Sequence, residues 1–193
     1  MPALRETVTE RLLLTAVGAG DVEELHALHA DPAVWEHLPS GRHTERAQTE
    51  AMVRRAVQGW EHHGLDIWAL RPRAGEGPRP LLGVGGCTLR FGAAWNVAAW
   101  NLYYRLARGQ WGRGYAQELI AAARDAATAL EPGIPVVAYL LEHNEGSRRA
   151  AERAGLDLVW RGPDAGNPDP AAVRLVYADR PLGRSTLALF TET

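Results

Sequence analysis

Between Asn101 and Ala127 the chain reads NLYYRLARGQWGRGYAQELIAAARDAA. An apolar, strand-like segment runs into a turn carrying Gly109, Gly112 and Gly114 together with Arg108 and Arg113. That turn opens directly into an alanine-rich helix. Glycine permits backbone conformations closed to other residues and lets a ligand approach the main chain. The first amides of the helix have no partner inside it and point back at the turn. With the helix dipole they form a site suited to a phosphate or pyrophosphate, and the two arginines add positive charge. A tight strand-to-helix turn with no ligand would use the same residues, so the rest of the chain has to decide.

The other elements follow from periodicity and punctuation. Arg11 to Ala16 is a first apolar strand, and Asp21 with Glu24 three residues later has the form of a capping box opening a helix that Asp31-Pro32 ends. Thr44 can cap a second helix to about Trp60, where Val53, Ala56, Val57 and Trp60 mark one face and Gly64 a stop. Leu65 to Leu70, Leu81 to Phe91 and Val97 to Leu106 are strand candidates, and Arg71 to Pro80 reads as a solvated hairpin loop. The glycine-rich helix, with Ala116, Leu119, Ile120, Ala123, Ala127 and Leu130 on its apolar stripe, stops at Glu131-Pro132-Gly133. Pro135 to Leu141 is a buried strand. Asn144 caps a last helix that Gly155 closes. Leu156 to Trp160 and Val173 to Tyr177 complete the strands. From Arg180 onward the chain reads as a tail that a partner could order. The order is β-α-α-β-β-β-α-β-α-β-β, an α/β (mixed α+β) pattern with an antiparallel three-strand meander. The strand-helix-strand units after it are expected to be parallel and right-handed.

Bulk properties remove several classes. The 193 residues suit one domain with a full core. A formal net charge of -2 lacks the basic footprint of a nucleic-acid binder. No apolar run approaches the roughly 20 residues that span a membrane, and the charged N-terminus lacks a signal-peptide core. One cysteine, Cys87, in an apolar strand-like run, fits a small core residue and a reducing, cytoplasmic setting. His62 and His63 diverge as neighbours on a helix end, and no metal site is expected. The Gly83-Val84-Gly85-Gly86 string precedes no helix and so is no dinucleotide fingerprint.

Trp111, Gly114 and Ala116 stand at offsets 0, +3 and +5. This spacing resembles the acyl-CoA pyrophosphate loop of the GNAT superfamily of N-acetyltransferases, Gln/Arg-x-x-Gly-x-Gly/Ala, with Trp111 departing from the pattern at the first position. The form WGRGYAQE is similar to the branch that acetylates ribosomal-protein N-termini. So are Asp31 to Trp35 (DPAVW) and the run Asn144-x-x-Ser147 closed by Gly155. The resemblance spans about residues 9 to 178, with 180 to 193 beyond it. It implies a GNAT-like fold: a central mixed, mostly antiparallel, strongly twisted sheet of about seven strands flanked by four helices.

It also implies acetyl-CoA as cosubstrate and direct acetyl transfer to a primary amine, either a protein N-terminus or a small molecule. The cofactor would lie against Leu106, Ala107, Arg108, Trp111, Gly112, Arg113, Gly114, Tyr115, Ala116 and Asn144. The pantetheine arm would pair with backbone around Tyr104 to Arg108. Ser147 would sit near the thioester sulfur and supply the proton that a tyrosine gives in many relatives, since no tyrosine falls between Tyr139 and Tyr177. A protonated amine needs a base. Glu142 is the first candidate, with His143 and a water held by Asn101 behind it. Read without the resemblance, Asn144 is simply a helix cap, Ser147 a polar first-turn residue and Glu142 a solvated charge. Asp31, Glu36, Glu45 and Glu50 could draw a cationic amine or form a charged helix face. Trp35, Trp60, Trp68, Trp95 and Trp100 could line a pocket or fill the core. A monomer or homodimer acting on no nucleic acid and no membrane is expected. A non-catalytic acyl-CoA-binding module and a nucleotide-binding α/β protein are the alternatives.

Overall fold

The computed structural model describes residues 4–74, 79–92 and 97–192. Eight strands form one sheet: β1 (Glu6–Val8), β2 (Leu12–Ala16), β3 (Ile67–Pro72), β4 (Gly83–Phe91), β5 (Ala98–Leu106), β6 (Val136–Leu141), β7 (Asp157–Pro163) and β8 (Val173–Ala178). Among the described residues five α-helices accompany them: α1 (Val22–Ala30), α2 (Arg46–His63), α3 (Tyr115–Leu130), α4 (Glu145–Arg153) and α5 (Arg184–Thr191). The spatial order is β1-β2-β3-β4-β5-β6-β8-β7.

Strand alternation sends neighbouring side chains to opposite faces, and the sheet therefore carries two cores. Leu12, Leu14, Trp68, Trp100, Leu102 and Leu106 pack with Leu119, Ile120, Ala123 and Ala127 of α3 on one face. Ile67, Ala69 and Val84 pack with Leu25, Leu28, Val53 and Ala56 of α1 and α2 on the other. Trp60, Trp68 and Trp100 are core residues; Trp95 falls outside the described residues. Cys87 is also core, and burial pushes its thiol pKa up, as expected for an inert packing residue.

The meander β3-β4-β5 is antiparallel as expected. Between β5 and β6 the pairing is parallel and covers only Trp100↔Val136 and Asn101↔Val137. Beyond Asn101 the two strands part. The next unit differs from expectation: β8 inserts antiparallel between β6 and β7, so these two run the same way without touching as neighbours.

Three local expectations also change. Asp21 and Glu24 form no reciprocal box. Both carboxylates turn to Arg71, which holds Glu24 below its usual range, while Asp21 also accepts from the Gly18 amide. The cap of α2 is Glu45 rather than Thr44, with Gln48 closing the reciprocal pair. The segment after Arg180 is no free tail. Its helix α5 buries Phe190 completely against Ala99, Val137 and Val176, making a third small core.

Candidate active site

The strand-to-helix turn takes the shape its glycines allow. A 3-10 turn (Arg108–Gln110) follows β5, and Gly112 (φ 73°) and Gly114 (φ 82°) occupy the left-handed region. Gly109 does not; it only keeps the approach open. The α3 ladder begins with the amides of Gln117 and Glu118 on the Gly114 carbonyl. The earlier amides of Tyr115 and Ala116 therefore have no carbonyl inside the helix and face the turn.

The positive charge is arranged differently from the sequence expectation. Arg108 pairs with Glu36 at 2.8 Å on the surface. Arg113 is exposed, and its carbonyl accepts from Arg11 Nη1 at 2.8 Å. Arg11 was not visible as a loop residue. Its guanidinium lies 4.9 Å from the Tyr115 ring and would stand 3.3 Å from a Cβ placed on Gly114. Glu118 orients it, accepting from Arg11 N, Arg11 Nε and Thr9. Burial raises the Glu118 pKa, but these hydrogen bonds and the Arg11 charge hold it below its ordinary value. Trp111, which stands where the loop pattern has Gln or Arg, donates its indole N–H to the Leu106 carbonyl at 2.9 Å and folds back on the end of β5.

Where β5 and β6 part, a cavity of about 490 Å³ opens. Asn101 to Arg105 form one wall and Ala138 to Leu141 with Asn144 and Ser147 the other. The segment from Trp35 to Gly41 and the β7–β8 loop close its ends. Asn144 caps α4, accepting from the Ser147 amide at 3.1 Å. Across the gap, Tyr104 donates its hydroxyl to the Ser147 carbonyl at 3.1 Å, and burial raises its pKa. Tyr104 thus supplies a phenol beside Ser147 from β5, upstream of β6 rather than downstream of it. Strand alternation places Tyr104 on the α3–α4 side of the sheet, which was its only signal.

Glu142 is not among the residues lining this cavity. It forms a two-point pair with Arg161 at 2.7 and 2.9 Å, and that hydrogen bonding keeps its carboxyl low. His143 also stays outside and donates to the His37 carbonyl at 2.9 Å. Asn101 and Trp35 line both this cavity and a second one of about 640 Å³ on the α2 side. The four acidic residues of the first stretch do not reach the cavity: Asp31 caps the turn at Ala33, Glu36 holds Arg108, Glu50 holds Arg46, and Glu45 caps α2. No group of three or more His, Cys, Asp or Glu among the described residues is placed to hold a metal ion. No helix among them is long and apolar enough to cross a membrane.

The chain that forms this cleft matches a known family. The model of the GNAT acetyltransferase domain matches residues 11–157. The chain belongs to this family and is an acyltransferase; the nucleotide-binding and non-catalytic alternatives give way. Solved structures show the same fold. An acetyltransferase from Agrobacterium tumefaciens is 25% identical at a TM-score of 0.65, over 89% of this chain and 93% of that one. A Bordetella pertussis protein assigned to the GNAT acetyltransferases is 18% identical at 0.73, over 91% and 99%. RimL, described as a ribosomal L7/L12 alpha-N-protein acetyltransferase, is 18% identical at 0.70, over 91% and 93%.

Proposed function

We propose that this acyltransferase moves the acetyl group of acetyl-CoA directly to a primary amine, a protein N-terminus or a small molecule, in the cytoplasm and without a covalent enzyme intermediate. The observation that carries the reading is the fork after Asn101, with unpartnered helix amides at one end and Tyr104 and Ser147 on its walls. RimL has a structure described with coenzyme A, and the immunity acetyltransferase MccE one with acetyl-CoA and AMP, which supports the same cosubstrate here.

The pyrophosphate would be received by the amides of Gly112 to Ala116, with Arg11 and Arg113 as counter-charge. Leu106, Ala107 and Arg108 offer backbone to the pantetheine arm, and Trp111 fixes the end of that strand. Asn144 acts through α4: its cap holds the first turn that presents Ser147. The amine nitrogen attacks the thioester carbonyl, the C–S bond breaks, and the leaving thiolate needs a proton. A phenol is a far stronger acid than an aliphatic alcohol, so Tyr104 donates that proton, and Ser147 orients it or relays through water. Glu142, already neutralised by Arg161, and His143, outside the cavity, are weaker bases than the sequence alone suggests. Holding the amine against the thioester supplies much of the rate.

Free-thiol release from acetyl-CoA over a panel of amines, with product mass, tests this. A product heavier by one acetyl group, with acetyl-CoA consumed in equal amount, is expected. Turnover that leaves every amine unmodified would sink it.

A further inference from the structure

The cavity wall carries one charge that no carboxylate among the described residues balances. Arg105 is half-buried on β5, its guanidinium 3.4 Å from the Trp35 ring centroid. Nε donates to the Tyr103 hydroxyl at 3.1 Å and Nη1 to the Val34 carbonyl at 3.0 Å. Tyr103 in turn reaches His29 Nε2 at 3.1 Å, and His29 Nδ1 meets the Leu25 carbonyl at 2.8 Å. A carbonyl only accepts, so Nδ1 of the neutral ring carries the proton and Nε2 accepts from Tyr103. These contacts fix the guanidinium plane without neutralising it. Among the described residues no carboxylate pairs with Arg105. The cavity's other guanidinium, Arg174, is matched by Asp164. No further acid among the described residues lines the space, so their net charge is positive.

We propose that the amine this site acetylates also carries an anionic group, a carboxylate or phosphate, and that Arg105 receives it. The inference rests on the transfer reading above and adds the substrate class. A guanidinium stacked on an aromatic ring and held by two hydrogen bonds is pre-organised for a planar anion. A polyamine would instead bring a second positive charge beside an unpaired guanidinium, where like charges repel. Arg105 and Tyr104 project from opposite faces of β5 and both border the cavity, Tyr104 at Ser147 and Arg105 at Trp35, so one substrate can present its amine to the first and its anion to the second. The same field acts on nearby groups. Burial first, and Arg105 with the neighbouring histidines second, pushes His29 and His37 down to about 4.

The test compares kcat/KM for aspartate, alanine, alaninamide and 1,4-diaminobutane, and for C-terminally amidated tripeptides beginning with Asp, Ala or Lys. Wild type is expected to favour anion-bearing members by roughly ten-fold or more over their neutral matches. Arg105→Gln should erase that preference, and Arg105→Glu should turn it toward cationic amines, with the thermal shift by acetyl-CoA intact in both. A preference shared by free amino carboxylates and Asp-peptides, or confined to either, supports the proposal and identifies the source. Equal or better use of neutral and cationic amines by wild type overturns it while leaving the transfer reading standing. If acetyl-CoA gives no thermal shift and no amine is acetylated, the transfer reading fails and this inference falls with it.

Discussion

Gly114 holds the left-handed conformation at the mouth of the cleft, with Arg11 packed where a side chain would begin. An alanine there costs about 1–2 kcal/mol in backbone strain and presses on Arg11, so Gly114→Ala should weaken acetyl-CoA binding in calorimetry more than it lowers the Tm. Tyr104 and Ser147 separate by chemistry. If the phenol gives up the proton, Tyr104→Phe lowers kcat at least about ten-fold with little change in the KM for acetyl-CoA. Ser147→Ala keeps the carbonyl that holds Tyr104 and loses less. The reverse order in steady-state rates would return the role to Ser147. Glu142→Gln removes only the surface pair with Arg161, and its rate is expected to stay near that of wild type. The glycines and the helix start were legible because each acts through its own backbone. Arg11 and Tyr104 were not, because each gains its place from a partner about a hundred or forty residues away in the chain.

Among the elements, β5 does the most. Its first half pairs with β6, its second half leaves it, and its end runs into the turn, so one strand carries the floor, the wall and the mouth of the cleft. The alternation of β5 was readable, and so was the amphipathic stripe of α3. The insertion of β8 between β6 and β7 was not, since both arrangements bury the same apolar residues of a short strand. Helix α5 is hidden for a related reason: Leu187, Leu189 and Phe190 stand in an apolar run of only four residues whose burial depends on a partner surface. Phe190 fills that surface, and Arg174 donates to its carbonyl. Phe190→Ala should cost about 3–5 kcal/mol in urea unfolding. Because Arg174 also bounds the cavity, the KM for the amine should rise with it. An unchanged unfolding midpoint would show α5 to be dispensable.

For the molecule as a whole, buried titratable groups set the pH response. Burial pushes the Asp66 carboxyl up to about 7 from 3.8. The folded state then keeps a proton the unfolded chain has released, so this contribution is full below pH 4 and is lost as pH rises to 7. His29 and His37 act in the opposite sense. Their pKa values are pushed from 6.5 down to about 4, so the unfolded chain binds protons the folded one refuses, and stability rises with pH between those limits. Two rising contributions outweigh one falling: the urea midpoint is expected to climb from pH 4.5 to 6.5. Asp66→Asn mimics the protonated acid. It should match wild type only below about pH 4 and exceed it by a margin that grows by about 1.4 kcal/mol per pH unit up to pH 7. A difference between variant and wild type that stays constant from pH 4 to 8 would mean the carboxyl is ionised in the fold.

The cofactor cleft itself is tested most directly by thermal shift with acetyl-CoA, CoA and ATP on wild type and Gly114→Glu. Stabilisation of wild type by both CoA species and not by ATP, lost when Gly114→Glu places a carboxylate against the helix amides, is the predicted result. No shift of wild type at millimolar acetyl-CoA, or an equal shift in the variant, would contradict it.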